Sequence, residues 1–497
     1  MNLSLNWRAL SSSLLLSVVA AWAPAAAAKP PAAPAGQVAT MSQRPGHAAI
    51  ASANFLATRA GLEVLRKGGN AFDAAVAVAS TLSVVEPESS GIGGGFMAVL
   101  HRAKDGRDVF IDARETAPAA VDPRDYVNPD GSPNRDASLT GPLSAGIPGE
   151  PAGLVLIAKR YGRLSLQQSL APAIRIARDG FTPDPRLHAA IADEQKVLER
   201  WPASAAKYLV NGQPPAAGAS WRDPEQARTL ELIAEHGNDG FYRGETAHKL
   251  VDAVRAAHGN WTLADLANYQ VKERTPISVD YRGYQIITAP PPSSGGVAIA
   301  EILNILSGYH LAGMDQAQRV HYIVEAMRRA FRDHNDYLGD PDFVKMPLDM
   351  LLSPYYADGL RQSILPDRAT PSSMLPRAEP ADAGMHTTHF SIIDADGNMA
   401  AVTLTVNTIL GSKFVAAGTG VLLNNEMDDF ALVPNKPNVY GLLGSKANAP
   451  VGGKRMLSSM SPSIVIGPER TMVIGSPGGS TIITQVLEGI LHFIDGE

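Results

Sequence analysis

From Ala71 to Leu82 the chain is almost wholly Ala, Val, Phe and Leu, broken only by Asp73, Ser80 and Thr81. A helix over this stretch is apolar nearly all round and must be deeply buried. Its limits are written locally. Asn70 can cap its first turn. Gly68-Gly69 ends the preceding helix, because glycine takes the left-handed C-cap conformation cheaply. That preceding helix, Asn54 to Arg66, carries Leu56, Ala60, Val64 and Leu65 at helical spacing. With 497 residues, 45% of them hydrophobic, the chain can bury such a core without disulfides. It has no cysteine, which removes thiol nucleophiles and thiolate zinc sites and leaves His, Asp, Glu, Ser, Thr, Lys and Tyr for chemistry. The net charge of -6 and the lack of a basic run point away from nucleic acid.

Arg8, the apolar run Ala9 to Ala23 and the small residues Ala26 to Ala28 have the parts of a secretory signal peptide over residues 1–28. The run is short for a membrane span. Residues 29–47 read as a Pro/Ala-rich linker and the start of the folded part. A periplasmic or secreted location is therefore expected. From Pro151 to Leu266 the pattern is mostly helical, including Leu164 to Asp179 and Ala227 to His236. The breaker Pro290 to Gly296 leads into a helix over Val297 to Leu306, and Asp315 to Arg332 reads as another helix. After Pro380 short strands take over: Phe390 to Ile393, Met399 to Val406, Gly420 to Leu423, Ile464 to Ile466 and Met472 to Ile474. The histidines are scattered. The nearest pair, His386 and His389, points to opposite faces of a strand, so no metal and no cofactor is expected.

The most pointed segment is Thr387 to Asn398, which ends in an Asp/Gly/Asn turn and resumes as Met399 to Asn407. That is a hairpin signature. A turn centred near Asp396 places Thr387 opposite Thr405 and puts Thr403, Thr405 and Asn407 on one polar face. Such a face is either a solvated sheet surface or a site. Gly475 to Ser480 puts Gly478 and Gly479 in a turn after a strand, where consecutive N–H groups can converge on an oxyanion. Arg114, just after the strand Val109 to Ile111, can belong to a surface salt-bridge cluster or fork onto a carboxylate. Asn424 to Phe430 offers acceptors for an ammonium group or favourable acids at a helix start. Leu457 to Pro462 sets Ser458 and Ser459 side by side among apolar residues.

In their order these segments resemble the γ-glutamyltranspeptidase family, from about Ala48 onward. The resemblance rests on Gly68 to Ala75, the glycine loop Gly91 to Phe96, Arg114 to Pro118, Pro291 to Gly296, the Thr387-Thr388-His389-Phe390-Ser391 strand, Asn424 to Phe430, Leu457 to Pro462 and Gly475 to Ser480. It implies the N-terminal nucleophile hydrolase fold, an α/β four-layer αββα sandwich. It implies self-cleavage between His386 and Thr387, giving a large subunit of residues 48–386 after its linker and a small one of residues 387–497, both in one structural domain.

Thr387 would then be the nucleophile. A threonine hydroxyl needs a base, and the freed α-amine, with an ordinary pKa of about 8, supplies one. By resemblance Gly478 and Gly479 form the oxyanion hole, and Thr405 supports the nucleophile and the self-cleavage. Arg114, Ser458 and Ser459 hold the glutamyl α-carboxylate, and Asn407, Glu426 and Asp429 hold its α-ammonium. Val433 to Ala449, with Tyr440, forms a lid. The implied reaction passes a γ-glutamyl group, expected from glutathione, to water or to an amino acid or peptide. Two smaller departures are Leu410, where an aromatic is expected, and Ala400, where valine is more usual. The family's members run on beyond the position of Glu497, so the sandwich is expected to be C-terminally truncated here. Two other readings stand beside this one: an acylase of cephalosporin or glutaryl preference with the same nucleophile, and an uncleaved binder of γ-glutamyl compounds.

Overall fold

The computed structural model describes residues 44–375, 387–433 and 436–496. The signal peptide, residues 29–43 of the linker, and His386 lie outside the described residues. The strands in chain order are β1 (Ala49–Ala51), β2 (Gly95–Arg102), β3 (Arg107–Ala113), β4 (Lys272–Arg274), β5 (Ile277–Tyr281), β6 (Tyr284–Thr288), β7 (Thr387–Ile393), β8 (Met399–Thr405), β9 (Val415–Ala416), β10 (Val421–Leu422), β11 (Ser463–Ile466) and β12 (Thr471–Ile474). The helices used below are α1 (Phe55–Arg66), α2 (Ala71–Val85), α3 (Glu150–Tyr161), α4 (Leu166–Asp179), α5 (Pro224–His236), α6 (Gly295–Leu306), α7 (Gln316–Tyr337) and α8 (Ile482–Asp495).

The turn between β7 and β8 is closed by one carboxylate. Asp394 Oδ1 accepts from the backbone N–H groups of Asp396 (3.0 Å) and Asn398 (2.9 Å). Gly397 takes the left-handed conformation that this turn requires. Asp394 Oδ2 accepts from the N–H of Ala71, the first residue of α2, at 2.9 Å. The turn is thereby tied to the positive end of that helix. The register that follows pairs Thr387 with Thr405, as the turn chemistry predicts.

The hairpin lies inside a six-stranded antiparallel sheet of order β1-β7-β8-β2-β3-β4. A second sheet has the order β12-β11-β6-β5, and its β11 and β12 pack on β2, β7 and β8. Helices α2 and α3 cover the outer face of the first sheet, while α6 and α8 cover the second, with α7 packed on α6. The layers run helix, sheet, sheet, helix. Asn70 and Asp73 form a capping box at the start of α2, and every residue of that helix is buried.

Strand alternation divides the core in two. Phe96, Ala98, Val402 and Leu404 face the α2 side, while Met97, Val99, Met399 and Ala401 face the second sheet together with Ile286 and Ile464. Each such fully buried Val, Leu or Phe stabilises the fold by roughly 1.5–3 kcal/mol. Because both faces of β8 are covered, the whole strand is buried and its sequence does not alternate cleanly. Among the described residues no helix is long and apolar enough to cross a membrane.

Candidate active site

The polar face of the hairpin lies between the two sheets, where Thr387, Thr403 and Thr405 are buried and His389 and Ser391 partly so. His389 Nδ1 lies 2.9 Å from Thr403 Oγ1, and Ser391 Oγ donates to Val473 O of β12 at 2.9 Å. Burial pushes the His389 pKa down to about 3, so its ring is neutral. At the end of this face Thr387 Oγ1 lies 3.3 Å from Thr405 Oγ1, and both threonines are buried. Thr405 Oγ1 also accepts from Asn407 N at 2.8 Å. Asn407 follows β8 in a left-handed conformation, with its side chain donating to Asn425 O at 2.9 Å.

The glycine loop has a steric reason. A Cβ on Gly93 would meet Leu422 O at 2.0 Å, and one on Gly94 would meet Thr405 O at 2.1 Å. The loop therefore lies directly on the strand end that carries Thr405. Asn424 spans to it, donating to Gly93 O and Gly146 O, each at 2.8 Å. This sets the direction of the next turn, a single 3-10 turn over Glu426–Asp429 and not the start of a longer helix.

That turn meets Arg114, which leaves β3 with its side chain 1% exposed. Arg114 Nη1 lies 2.7 Å from Glu426 Oε2, and Nη2 lies 2.5 Å from Asp429 Oδ2. Glu115 is a third acid, 3.5 Å from Nη1. Burial opposes the Arg114 charge, but the three acids outweigh it and raise its pKa. Burial raises the pKa of Glu426, Asp429 and Glu115, with Arg114 opposing in each case. Neither oxygen of Glu426 has a hydrogen-bond partner among the described residues, and its contact with Arg114 is an ion pair.

Ser458 and Ser459 are placed by the Pro290 to Gly296 turn. Ser294 donates to Ser458 O from both its backbone N–H and its hydroxyl, each at 2.8 Å, and Ser293 Oγ donates to Met460 O at 2.7 Å. Gly478 and Gly479, with φ of 128° and 55°, lead into α8. A Cβ on Gly479 would meet the Tyr440 ring at 2.4 Å. Tyr440 belongs to the expected lid segment, and its hydroxyl donates to Asn407 O at 2.9 Å. Two more lid contacts reach Asp429: Asn448 Nδ2 donates to its carbonyl at 2.7 Å and Asn438 Nδ2 to its carboxylate at 3.3 Å.

These parts line one cavity of about 40 Å³. Thr387, Thr405, Asn407 and Gly479 line it at the hairpin end. Arg114, Glu426, Asp429, Ser458, Ser459 and Tyr440 line the remainder. Gly478 is not among the lining residues, and His386 lies outside the described residues. Sequence reasoning passed over two side chains here. His334 of α7 lines the cavity. Glu150, at the start of α3, lies next to Glu115, with both oxygens buried and unpartnered among the described residues and its pKa raised by burial and by Glu115.

The family described as Gamma-glutamyltranspeptidase matches this chain over residues 57–497. The glutathione hydrolase proenzyme of Pseudomonas sp. (strain A14) is 46% identical over 450 residues, covering 90% of this chain and 78% of that protein. Among solved structures, the γ-glutamyltranspeptidase of Helicobacter pylori aligns with a TM-score of 0.64 and 36% identity, over 66% of this chain and 95% of that one. The cephalosporin acylase of Bacillus halodurans aligns with a TM-score of 0.76 and 30% identity, over 90% of this chain and 80% of that one. The layered fold, the single cavity that gathers the predicted polar residues, and these likenesses agree, and the chain belongs to the γ-glutamyltranspeptidase family.

Proposed function

We propose that this chain is a self-processing γ-glutamyl hydrolase and transferase with Thr387 as nucleophile. Cleavage of the His386–Thr387 bond frees an α-amine on Thr387, which takes the proton from its hydroxyl as Oγ1 attacks the γ-amide carbon. The C–O bond forms as the C–N bond breaks, and the leaving amine carries the proton away. Gly478 and Gly479 donate backbone N–H groups to the oxyanion. Thr405, 3.3 Å away, orients the hydroxyl of Thr387. Water or an amine then removes the γ-glutamyl group from the ester. Glutathione is the expected donor and an amino acid or peptide the acceptor, in the periplasm or outside the cell.

The observation that carries this reading is the charge pattern around one cavity. A γ-glutamyl group bears an α-carboxylate and an α-ammonium, and each needs its own partner once buried. Arg114 with Ser458 and Ser459 suits the first. Glu426, Asp429 and Asn407 suit the second, and Glu426 keeps acceptor capacity that Arg114 does not use. Lys29 to His386 is the expected large product and Thr387 onward the small one. The likeness to a cephalosporin acylase favours a second reading, an acyl group without the ammonium. Glu426 and Asp429 beside Arg114 weigh against it.

Intact mass of the purified protein, beside a Thr387→Ala control, tests the proposal. Two fragments meeting at His386/Thr387, with release of aniline from a γ-glutamyl anilide, are expected. The control should stay uncut and inactive. Turnover of glutaryl but not γ-glutamyl amides would transfer the chain to the second reading.

A further inference from the structure

One titratable side chain on the cavity wall has no part in the chemistry above. His334, near the C-terminal end of α7, is 2% exposed and lines the cavity shared by Thr387, Ser459 and Gly479. Its Nδ1 lies 3.0 Å from Asn335 Oδ1. An amide oxygen only accepts, so Nδ1 carries the ring proton and Nε2 is left as a bare acceptor. Nε2 is buried and has no hydrogen-bond partner among the described residues. Burial pushes the His334 pKa down to about 4, which keeps the ring neutral near pH 7. A buried acceptor without a donor is unfavourable, and a ligand that supplies the donor relieves it.

The next step rests on the γ-glutamyl reading. An α-carboxylate only accepts and cannot satisfy Nε2. The α-ammonium donates, but Glu426 and Asp429 are stronger, charged partners for it. Of the donors that a γ-glutamyl amide brings into this cavity, the nitrogen of the scissile amide remains. We propose that His334 Nε2 accepts a hydrogen bond from the amine nitrogen that leaves or enters the γ-glutamyl ester. His334 thereby selects amide donors over esters. In acylation the Thr387 Oγ1–C bond forms, the C–N bond breaks, and the hydroxyl proton passes through the α-amine to the departing nitrogen. With its N–H held by His334, that nitrogen turns its lone pair toward the α-ammonium that protonates it. Transfer runs the same step in reverse: the amine lone pair attacks the acyl carbon, its proton passes to the α-amine and on to Oγ1, and Thr387 is released.

The test compares a γ-glutamyl benzylamide with the matched benzyl ester, in wild type and in His334→Leu. The ester has no N–H to donate. The kcat/KM for the amide should fall roughly tenfold further than that for the ester, the scale of one lost hydrogen bond. The KM for an amine acceptor should rise by a similar factor. His334→Gln, whose carbonyl can accept, should recover part of the loss. Fragment production at Thr387 reports folding of each variant, and His334→Met serves if the leucine variant does not mature. Equal losses on amide and ester, or none on either, would overturn the assignment. A wild type that turns over neither substrate sinks the γ-glutamyl reading instead, so the two failures are distinct.

Discussion

Asp112 and Arg114 lie two residues apart at the end of β3, yet they anchor buried ion clusters of opposite plan. Asp112 faces two guanidiniums, Arg274 Nε at 2.8 Å and Arg455 Nε at 3.2 Å. Arg274 also grips both oxygens of Asp342 (3.0 and 3.1 Å), and the Arg455 N–H donates to Asp340 at 2.8 Å. Arg274 and Arg455, with Lys272 also 3.6 Å from Asp342, bind β3 to β4 and to the segment before Ser458. Around Arg114 a single cation faces Glu115, Glu426 and Asp429, and the oxygens of Glu426 are left without hydrogen bonds. The first cluster uses its charges on the chain itself. The second has carboxyl groups to spare in a cavity, which is the arrangement a visiting cation needs.

If that contrast is correct, breaking the first cluster harms the fold and breaking the second harms turnover. Asp112→Ala leaves two buried guanidiniums short of a partner and should cost about 3–5 kcal/mol. Thermal melts should show a drop of several degrees and gels less processed protein, while the matured fraction keeps its KM for donor. Glu426→Gln removes a surplus carboxyl, so its melting temperature should not fall. Its kcat/KM for a γ-glutamyl anilide should drop roughly 10–100-fold, the scale of a hydrogen bond to a charged group. A melting temperature that falls without loss of kcat/KM would erase the distinction between the clusters.

The smallest effect concerns Glu115. Burial lifts its pKa from 4.5 to about 7 despite Arg114. The folded state then holds a proton that the unfolded chain releases between those values. Its stabilising contribution is complete below pH 4.5 and is lost as pH rises through 7. Glutamine stays neutral throughout. The melting temperature of Glu115→Gln relative to wild type should therefore increase from pH 5 to pH 8, by about 1–2 °C.

The hairpin was legible because its turn residues fix the register, and one slipped residue would have sent Thr387 to the other face. Alternation separated the two faces of β8 but could not say what covers them. A Thr/His/Ser face reads as solvated until a second sheet is found over it. Arg114 and Asp429 are 315 residues apart, and no local pattern joins them. They were brought together only by the family resemblance. Glu150 looks like an ordinary acid in the first turn of a helix, and His334 like a lone polar residue on one. Burial and missing partners set both apart, and those are tertiary properties.

The order β1-β7-β8-β2 has a consequence for the processed protein. If the chain is cut ahead of Thr387 as proposed, the hairpin belongs to one polypeptide and both flanking strands to the other. The junction is then a shared sheet and not two surfaces in contact, so the halves cannot part by simple dissociation. Separation would require melting backbone hydrogen bonds on both sides of the hairpin together with the Asp394 tie to α2. The pair would behave on dilution as one molecule, with no equilibrium of free subunits to shift.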